Sequence, residues 1–245
     1  MKIVKVPLSE RSLGKNLGCN KGPDAIVNML AENIWSKEDG SQIVFEIDEA
    51  SEDLDSAEGD IFIGGDHSIT HPLFKGFAKN FDNPGLIVFD AHPDVYENEK
   101  ELSHQDWVKF LIDGGVLKPE NVVLVGIRAA DPSEFKWLDN KKIKYFTAAD
   151  VYGHVEDVCE KLVKFSEKLD GLYLSIDIDV LDPAFAPGTG YREPGGLSTR
   201  ELLYFVKEIK NLKNLKRSDL VEVNPEIDTD EMTVKIAAKI VGELL

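Results

Sequence analysis

The stretch Leu172-Tyr173-Leu174-Ser175-Ile176-Asp177-Ile178-Asp179-Val180-Leu181-Asp182-Pro183 decides the fold, because it places ionised side chains at the end of an otherwise apolar strand. Alternate residues of a strand share a face, so we expect Asp177 and Asp179 to point one way while their apolar neighbours pack on the other side. At an effective dielectric constant of about 20, two like charges about 4 Å apart repel by roughly 4 kcal/mol. A cation must therefore compensate these carboxylates, and a metal ion is the simplest candidate.

Two more apolar runs end in polar side chains. The run at 86–89 is followed by Asp90, His92 and Asp94 at every second position, and the run at 61–63 leads to His67. With Asp177 and Asp179 these residues provide six donors, which is enough for two metal ions. Oxygen and imidazole donors without thiolates suit Mn²⁺, and Fe²⁺, Co²⁺, Ni²⁺ or Zn²⁺ are also possible. Two ions about 3.5–4 Å apart can share a water molecule, lower its pKa and supply hydroxide at neutral pH.

Apolar strands that alternate with amphipathic stretches predict the fold class. We expect strands at 2–6, 42–47, 61–63, 86–89, 122–125, 143–146, 172–178 and 220–223, and helices at 22–30, 155–169, 199–210 and 231–245. Continuous apolar strands indicate burial on both faces. The order predicts an α/β fold of three layers (αβα) with a mainly parallel, doubly wound sheet, in one domain over residues 1–245. Ser198 to Glu201 and Asp228 to Glu231 have capping-box spacing, which predicts two helix starts.

The carboxyl ends of parallel strands form the edge where such sheets bind ligands. The pairs Asp66-His67 and Asp177-Asp179, the segment from Asp90 to Asp94, and Glu222 each follow an apolar run. We therefore expect four strands to direct acid or imidazole side chains to one site. The alternative for each residue taken singly is a salt-bridged strand end or a core imidazole.

Composition excludes several classes of protein. The 245 residues are 42% hydrophobic and 30% charged, without an apolar run long enough to span a bilayer or a signal-peptide pattern at the start, so we expect a cytoplasmic protein. Cys19 and Cys159 are too few for a disulfide framework. The net charge of −17, without a basic stripe, argues against nucleic acid or an anionic membrane as a partner and favours a small cationic ligand.

The segments Gly64-Gly65-Asp66-His67-Ser68, Asp90-Ala91-His92-Pro93-Asp94 and 175–183 resemble the three signatures of the ureohydrolase family of arginases and agmatinases. The resemblance extends from Gly22 to Pro225. It implies an arginase-like fold and two manganese ions per subunit. One ion would be held by His67, Asp90, Asp94 and Asp177, and the other by His92, Asp90, Asp177 and Asp179, with Asp90 and Asp177 bridging the two.

The resemblance also implies a reaction, with Asp94, His104 and Glu222 as the expected catalytic residues. In ureohydrolases the acid at the Glu222 position holds the guanidinium group over the metals, and we expect His104 to protonate the leaving amine. The loop 94–104 has the length and the Tyr and Asn placement of agmatinases. Its acids at 97, 99 and 101 would repel a substrate carboxylate. We therefore expect hydrolysis of agmatine to putrescine and urea, a step of polyamine biosynthesis.

Other features leave alternatives open. The segment 126–134 resembles the arginase segment whose acids contact an α-amino group, so Asp131 and Glu134 are expected to bind the amine of agmatine or of arginine. Tyr191-Arg192 stands where Thr-Pro is usual in the family, and Gln105 stands where Gly is usual. An arginase, a formimino or other amidine hydrolase, and a metal-binding inactive member remain alternatives. The family often forms trimers or hexamers, so we expect a homotrimer or homohexamer.

Overall fold

A sheet of eight parallel strands forms the centre of the computed structural model, which describes residues 1–34, 36–50, 52–97 and 101–245. The strands are β1 (Lys2–Val6), β2 (Glu46–Glu49), β3 (Ile61–Gly64), β4 (Pro84–Phe89), β5 (Val122–Ile127), β6 (Lys144–Thr147), β7 (Gly171–Asp177) and β8 (Leu215–Val221). The helices are α1 (Gly22–Asn33), α2 (Thr70–Ala78), α3 (Trp107–Asp113), α4 (Pro132–Lys141), α5 (Ala148–Val151), α6 (Val155–Ser166), α7 (Thr199–Lys210) and α8 (Met232–Leu244). None of these helices is long and apolar enough to cross a membrane.

Helices cover both faces of the sheet, as the continuous apolar strands predict. In β3, Ile61 and Ile63 belong to the core that includes residues of α1 and α5–α8, whereas Phe62 belongs to the core that includes residues of α2, α3 and α4. The same alternation divides Leu172 and Leu174 from Tyr173 in β7. Alternate residues of a strand face opposite sides, so the strands separate two apolar cores. The expected three-layer αβα fold with a parallel sheet is confirmed.

The strand order β2-β1-β3-β8-β7-β4-β5-β6 determines where ligands can bind. The chain leaves β3, crosses to β4, and returns later to place β7 and β8 between them. The carboxyl ends of β3, β8, β7 and β4 are consequently adjacent, and in open α/β sheets the crevice at such a switch point binds ligands. The expected metal donors lie at or just after the carboxyl ends of β3, β4 and β7, and Glu222 directly follows β8.

Some expected boundaries were wrong. The strand expected at 42–47 is observed at Glu46–Glu49. The strand expected at 172–178 ends at Asp177, and Asp179 lies in a 3-10 turn, Ile178–Val180, rather than on a shared strand face. The physical reason is local, because the Asp177 carboxylate accepts the backbone N–H of Asp179 at 2.8 Å and so ends the strand.

The two expected capping boxes have different outcomes. Ser198 and Glu201 form one at the start of α7. Asp228 instead caps α8 from further upstream, because its carboxylate accepts the backbone N–H groups of Thr233 at 3.1 Å and Val234 at 3.0 Å. The intervening residues include Glu231 with φ of 56°, a left-handed conformation that delays the helix to Met232.

Candidate metal centre and substrate cavity

The end of β3 fits closely against its neighbours and fixes the position of His67. A Cβ atom on Gly65 would lie 1.7 Å from the backbone oxygen of Leu8, so only glycine fits there. The carbonyl of Gly65 also accepts the backbone N–H of Glu222 at 2.8 Å, which joins the ends of β3 and β8. The next residue, Asp66, caps the 3-10 turn His67–Ile69. His67 is thereby fixed in a buried turn, 1% exposed.

Three carboxylates surround the Nδ1 atom of His67. Their oxygens lie 3.1 Å away in Asp90, 3.2 Å in Asp94 and 3.2 Å in Asp177. His67 Nδ1 and Asp90 Oδ2 are buried, and neither has a hydrogen-bond partner among the described residues. Buried polar atoms are normally paired. The arrangement therefore fits a cation that takes its ligands from this group.

A chain of hydrogen bonds determines which nitrogen of His67 is free. The hydroxyl of Ser175 donates to Asp219 at 2.6 Å, so the same hydroxyl is left to accept the Nε2–H of His67, 2.9 Å away. Asp219 is fully buried and also accepts from the hydroxyls of Thr70 and Tyr173, each at 2.8 Å. With its proton on Nε2, His67 presents the Nδ1 lone pair to the carboxylates. An outer partner of this kind commonly orients a metal-binding histidine.

Trp107 holds the third carboxylate of this group. Its indole N–H donates to Asp94 at 2.6 Å, and its ring lies against His67 with the ring centroids 4.7 Å apart. Asp94 has φ of 51°, a left-handed conformation that non-glycine residues adopt infrequently. The expected even spacing of Asp90, His92 and Asp94 therefore belongs to a loop after β4 rather than to a strand.

A second group of donors lies beside the first. Nδ1 of His92 is 3.1 Å from an Asp179 oxygen and 3.4 Å from an Asp90 oxygen. Donor atoms of Asp90, His92 and Asp179 lie within 4.8 Å of one another, as do those of His67, Asp90 and Asp177. Asp90 is common to both groups, which fits its expected bridging role. The bridging role of Asp177 and the role of Asp94 as a ligand stay predictions.

The electrostatics of this cluster favour bound cations. Burial, followed by the charges of Asp179 and Asp90, raises the pKa of Asp177 well above its ordinary value. Burial and the charge of Asp90 raise the pKa of Asp94 to about 7. Divalent cations at the same place would stabilise the ionised carboxylates instead of protons. The oxygen and imidazole donor set therefore fits a pair of divalent ions, and it does not select among Mn²⁺, Fe²⁺, Co²⁺, Ni²⁺ and Zn²⁺.

Arg128 shapes the turn that carries Asp179. Its guanidinium donates to the backbone oxygens of Asp179 at 2.6 Å, Val180 at 3.2 Å and Leu181 at 3.2 Å. It also donates to the backbone oxygen of Glu193 at 2.8 Å. A rigid, permanently charged fork of donors suits such a cluster of carbonyls. Arg128 thus has a structural role behind the candidate metal site.

Glu222 and His104 form a buried pair next to these donors. His104 Nδ1 lies 3.2 Å from Glu222 Oε1, which also accepts the backbone N–H of His67 at 2.8 Å. Asn16 donates to Glu222 Oε2 at 2.6 Å and accepts from Asn224 at 2.7 Å. Burial is the largest single effect on Glu222 and works against its ionisation, but the hydrogen bonds from His104, Asn16 and His67 and the charge of His104 together lower the pKa of Glu222. Burial is likewise the largest single effect on His104 and opposes its charge, but the hydrogen bond and charge of Glu222, together with the charges of Asp94 and Asp66, raise the pKa of His104.

A cavity of about 340 Å³ opens onto both donor groups. The residues that line it are His92, Asp94, Tyr96, His104, Gln105, Glu134, Asp177, Asp179, Tyr191 and Glu222. Five of these ten are carboxylates, and within the described part of the chain no lysine or arginine lines the cavity. Burial raises the pKa of Glu134 although backbone N–H groups of Asp131 and Val95 oppose that shift. The cavity is therefore suited to a cationic ligand.

The other residues expected to face the substrate do not line the cavity, or they lie outside the described residues. Asp131 does not line the cavity; it caps α4 and accepts the backbone N–H of Ser133 at 2.8 Å. The loop acids Glu97 and Glu101 are exposed and do not line the cavity. Glu99 and Asn98 of the same loop lie outside the described residues. Of the two amine-binding candidates, the structure brings only Glu134 to the site.

Three residues at the site match no motif in the local sequence. Asn16 lies 206 positions from Glu222, Asp219 lies within an otherwise ordinary strand, and Trp107 begins a short helix. Each supports another side chain rather than forming a motif of its own. A polar Asp219 inside the buried end of β8 is the one hint available, because an unpaired carboxylate there would be costly.

The fold and the site together define an α/β protein with a candidate two-ion metal centre at the carboxyl edge of a parallel sheet. The sequence model of the Arginase family matches residues 1–245. The chain belongs to the arginase family, and it is an arginase-family hydrolase.

Individual relatives differ in their substrates. An arginase of Staphylococcus aureus (strain COL) is 34% identical over 210 residues, which covers 79% of this chain and 70% of the relative. An agmatinase of Bacillus anthracis is 38% identical over 198 residues, 78% of this chain and 64% of the relative. The crystal structure of formimidoylglutamase from Bacillus subtilis matches with a TM-score of 0.92 and 24% identity, over 99% of this chain and 85% of that chain. At that identity the structural match shows the fold alone.

Proposed function

We propose that this protein hydrolyses agmatine to putrescine and urea with two Mn²⁺ ions bound. The observation that carries the proposal is the lining of the cavity: besides the metal-site carboxylates Asp94, Asp177 and Asp179 it has two more, Glu134 and Glu222, and no lysine or arginine among the described residues. A substrate carboxylate would be desolvated there without a cationic side chain to pair with. Agmatine has a guanidinium and an ammonium group and no carboxylate, whereas arginine has one and formimidoylglutamate has two.

Charge matching supports a dication. Asp90, Asp94, Asp177 and Asp179 would neutralise two divalent ions, and Glu134 and Glu222 are the further carboxylates at the cavity. We propose that Glu222 accepts the N–H groups of the guanidinium, because a carboxylate and a guanidinium pair through parallel hydrogen bonds. Glu134 would take the distal ammonium group. Two carboxylates in one cavity thus match the two charges of agmatine.

The bound ions would supply an activated water for hydrolysis. The protein's own residues then orient the substrate and move protons. Glu222 is held by His67, His104 and Asn16, so its position is set before the substrate binds. Pairing with Glu222 raises the pKa of His104, so its imidazole stays protonated to higher pH. The buried Nε2 of His104 has no hydrogen-bond partner within the described residues. We propose that this atom delivers the proton that the leaving amine needs.

The test measures urea and putrescine release by the Mn²⁺-loaded protein with agmatine, arginine and argininamide, and formamide release from formimidoylglutamate. Argininamide keeps the branch of arginine and removes its carboxylate, so it separates the effect of charge from that of shape. Asp179→Ala should abolish turnover, and Asp157→Ala, a change to an exposed carboxylate of α6, should not. Preference for arginine over agmatine would contradict the substrate argument, and release of formamide alone would select the amidine alternative.

Absence of turnover with two ions bound would support the inactive alternative. The expected homotrimer or homohexamer stays a prediction, which light scattering coupled to size-exclusion chromatography tests.

A further inference from the structure

A four-residue turn carries two side chains into the cavity. Its central residues, His104 and Gln105, both line the cavity, and its ends are Ser103 and Asp106. The carboxylate of Asp106 accepts the backbone N–H of Ser103 at 2.7 Å, and this hydrogen bond closes the turn around the two cavity residues. The backbone N–H of Gln105 also donates to the Ser103 hydroxyl at 3.3 Å. We call residues 103–106 the His104 turn.

Asp106 joins the His104 turn to a well-packed helix. It immediately precedes α3, and its backbone oxygen accepts the N–H of Phe110 at 3.0 Å. In α3, Trp107 and Leu111 are both fully buried. The hydrogen bond from Asp106 therefore fixes His104 relative to a helix that is itself held in the core.

The carboxyl group of Asp106 is costly to bury. Asp106 is 0% exposed, and its Oδ2 atom has no hydrogen-bond partner among the described residues. Burial raises the pKa of Asp106, although hydrogen bonds from Ser103 and the charge of His104 oppose that shift. An asparagine could accept the Ser103 N–H without burying an acid, so stability alone does not account for Asp106. A buried acid beside a cavity that is suited to catalysis indicates a role in the reaction.

The proton that leaves His104 in the proposed function has to be directed at one atom. When the bond between the guanidino carbon and the chain nitrogen breaks, the electron pair stays on that nitrogen, which takes a proton and leaves as an amine. Nδ1 of His104 is paired with Glu222 at 3.2 Å, and one contact does not fix both the place and the direction of a ring. The backbone of His104 must be fixed as well. Its N–H donates to the backbone oxygen of Arg11 at 3.2 Å, and Asp106 closes the turn on the other side.

We propose that Asp106 is a positioning residue that holds the His104 turn so that Nε2 of His104 meets the nitrogen of the leaving amine. The inference rests on the proposed function and deepens it, because it names a residue on which proton delivery depends. A misplacement of about 1 Å can cost about 100-fold in rate, and general acid catalysis contributes about 100- to 10,000-fold. Loss of the hydrogen bond should therefore lower kcat for agmatine by about 10- to 100-fold. KM should stay within about twofold, since Glu134 and Glu222 lie outside the turn.

The test compares agmatine with an analogue in which oxygen replaces the methylene group bonded to the chain nitrogen of the guanidino group. The two compounds have nearly the same size, and both release urea, so one assay serves for both. The analogue releases an alkoxyamine, which is far less basic than an alkylamine and needs a proton less. Relative to the wild type, Asp106→Ala should lower kcat about 10- to 100-fold with agmatine and less than about threefold with the analogue. His104→Ala should show the same pattern, and Asp106→Asn, which keeps an oxygen for the Ser103 N–H, should restore kcat with agmatine to within about threefold of the wild type.

Asp170→Ala is the matched control. The Asp170 carboxylate also accepts loop backbone N–H groups, those of Asp82 at 2.9 Å and Asn83 at 3.0 Å, but it precedes β7 and so lies at the opposite end of the sheet. The control should keep the wild-type kcat with both compounds. A wild-type kcat in Asp106→Ala, or an equal loss with both compounds, overturns the proposal. Circular dichroism and metal content report misfolding, and if Asp106→Ala does not fold, Asp106→Leu fills the same space without an acceptor and makes the same comparison.

An NMR measurement separates this proposal from the proposed function. The chain has five histidines, so the imidazole signals of His104 can be assigned by their absence in His104→Ala. Asp106→Ala should shift and broaden these signals, whereas Asp106→Asn and Asp170→Ala should leave them as in the wild type. If the wild type releases urea from neither compound, or if His104→Ala loses equal activity with both, the proposed function or its proton-delivery step fails. The His104 signals then decide about Asp106: a change in Asp106→Ala supports positioning, and unchanged signals overturn it.

Discussion

Replacement of Asn16 tests whether the position of Glu222 depends on a residue from the other end of the chain. In Asn16→Ala, Glu222 loses a hydrogen bond of 2.6 Å, and the buried Asn224 loses the acceptor that it contacts at 2.7 Å. A hydrogen bond to a charged group is worth about 1.5–3 kcal/mol, and an unsatisfied buried donor costs about 1–3 kcal/mol. The two effects share one network and are not additive, so we expect the free energy of unfolding to fall by about 3 kcal/mol.

The same change should reduce activity. If the lost hydrogen bond is what aligns Glu222 with the substrate, about 1.5–3 kcal/mol of lost alignment corresponds to a fall of about 10- to 150-fold in kcat/KM. Asn16→Asp has nearly the same size but places a second carboxylate against Glu222, so we expect a larger loss. Bound metal should remain, because Asn16 belongs to neither donor group.

Unfolding is followed by circular dichroism in urea rather than in guanidinium chloride, because guanidinium can bind the Glu222 carboxylate. Putrescine release measures activity, and elemental analysis measures bound metal. Asn211→Ala on the exposed surface of the α7 end should change stability by less than about 0.5 kcal/mol. If Asn16→Ala matches the wild type within that margin and keeps its activity within about twofold, the reasoning is refuted, since the hydrogen bonds would then contribute nothing measurable.

Three further predictions concern protonation, metal and the distal amine. NMR titration should give a pKa of the His104 imidazole that is raised above 6.5, and Glu222→Gln should lower this pKa. Because the folded-state pKa is raised, the pairing stabilises the fold fully below the unfolded-state pKa, and this stabilisation is lost as pH rises through the folded-state pKa. An unchanged His104 titration in Glu222→Gln would contradict the pairing. In thermal unfolding, Mn²⁺ at 100 times its dissociation constant should stabilise the wild type by about 2.7 kcal/mol, and a chelator should reverse this effect. The control variant Asp157→Ala should be stabilised to the same extent. Equal stabilisation of Asp179→Ala would show that the ion binds elsewhere. Glu134→Gln should raise the KM for agmatine about 10-fold with little change in kcat, because Glu134 lines the cavity. Asp131→Ala should remove a helix cap, lower the free energy of unfolding by about 1 kcal/mol and leave KM unchanged. The opposite pattern would place the amine-binding site at Asp131.

Much of the site was predictable because its donors follow strands directly. His67, Asp90 and Asp177 each come at or just after the end of an apolar run, and parallel strands bring such ends to one edge. The exact backbone was less predictable. Asp179 lies in a turn because its backbone N–H donates to the Asp177 carboxylate instead of to a neighbouring strand. The periodicity of apolar residues does not reveal this local hydrogen bond.

Supporting residues could not be predicted from local patterns. Asn16 and Glu222 meet only because β8 lies next to β3, and that neighbourhood depends on a crossover that the linear sequence does not specify. The late start of α8 has a similar cause, since the left-handed backbone of Glu231 displaces the helix beyond the expected capping box. Long-range strand pairing and unusual backbone conformations thus limit how much of this fold can be predicted from its sequence.

The position of β8 between β3 and β7 also imposes an order on assembly as the chain is synthesised from its amino end. The segments of Asp90, His92 and Asp179 follow β4 and β7, which pair directly, so this donor group can form while β8 has yet to be made. His67 follows β3, which reaches β7 only through β8. Until residues 215–221 are synthesised, β3 and β7 have unpaired edges that are open to wrong partners. A nascent chain should therefore be able to capture one ion before it can complete the site for the other.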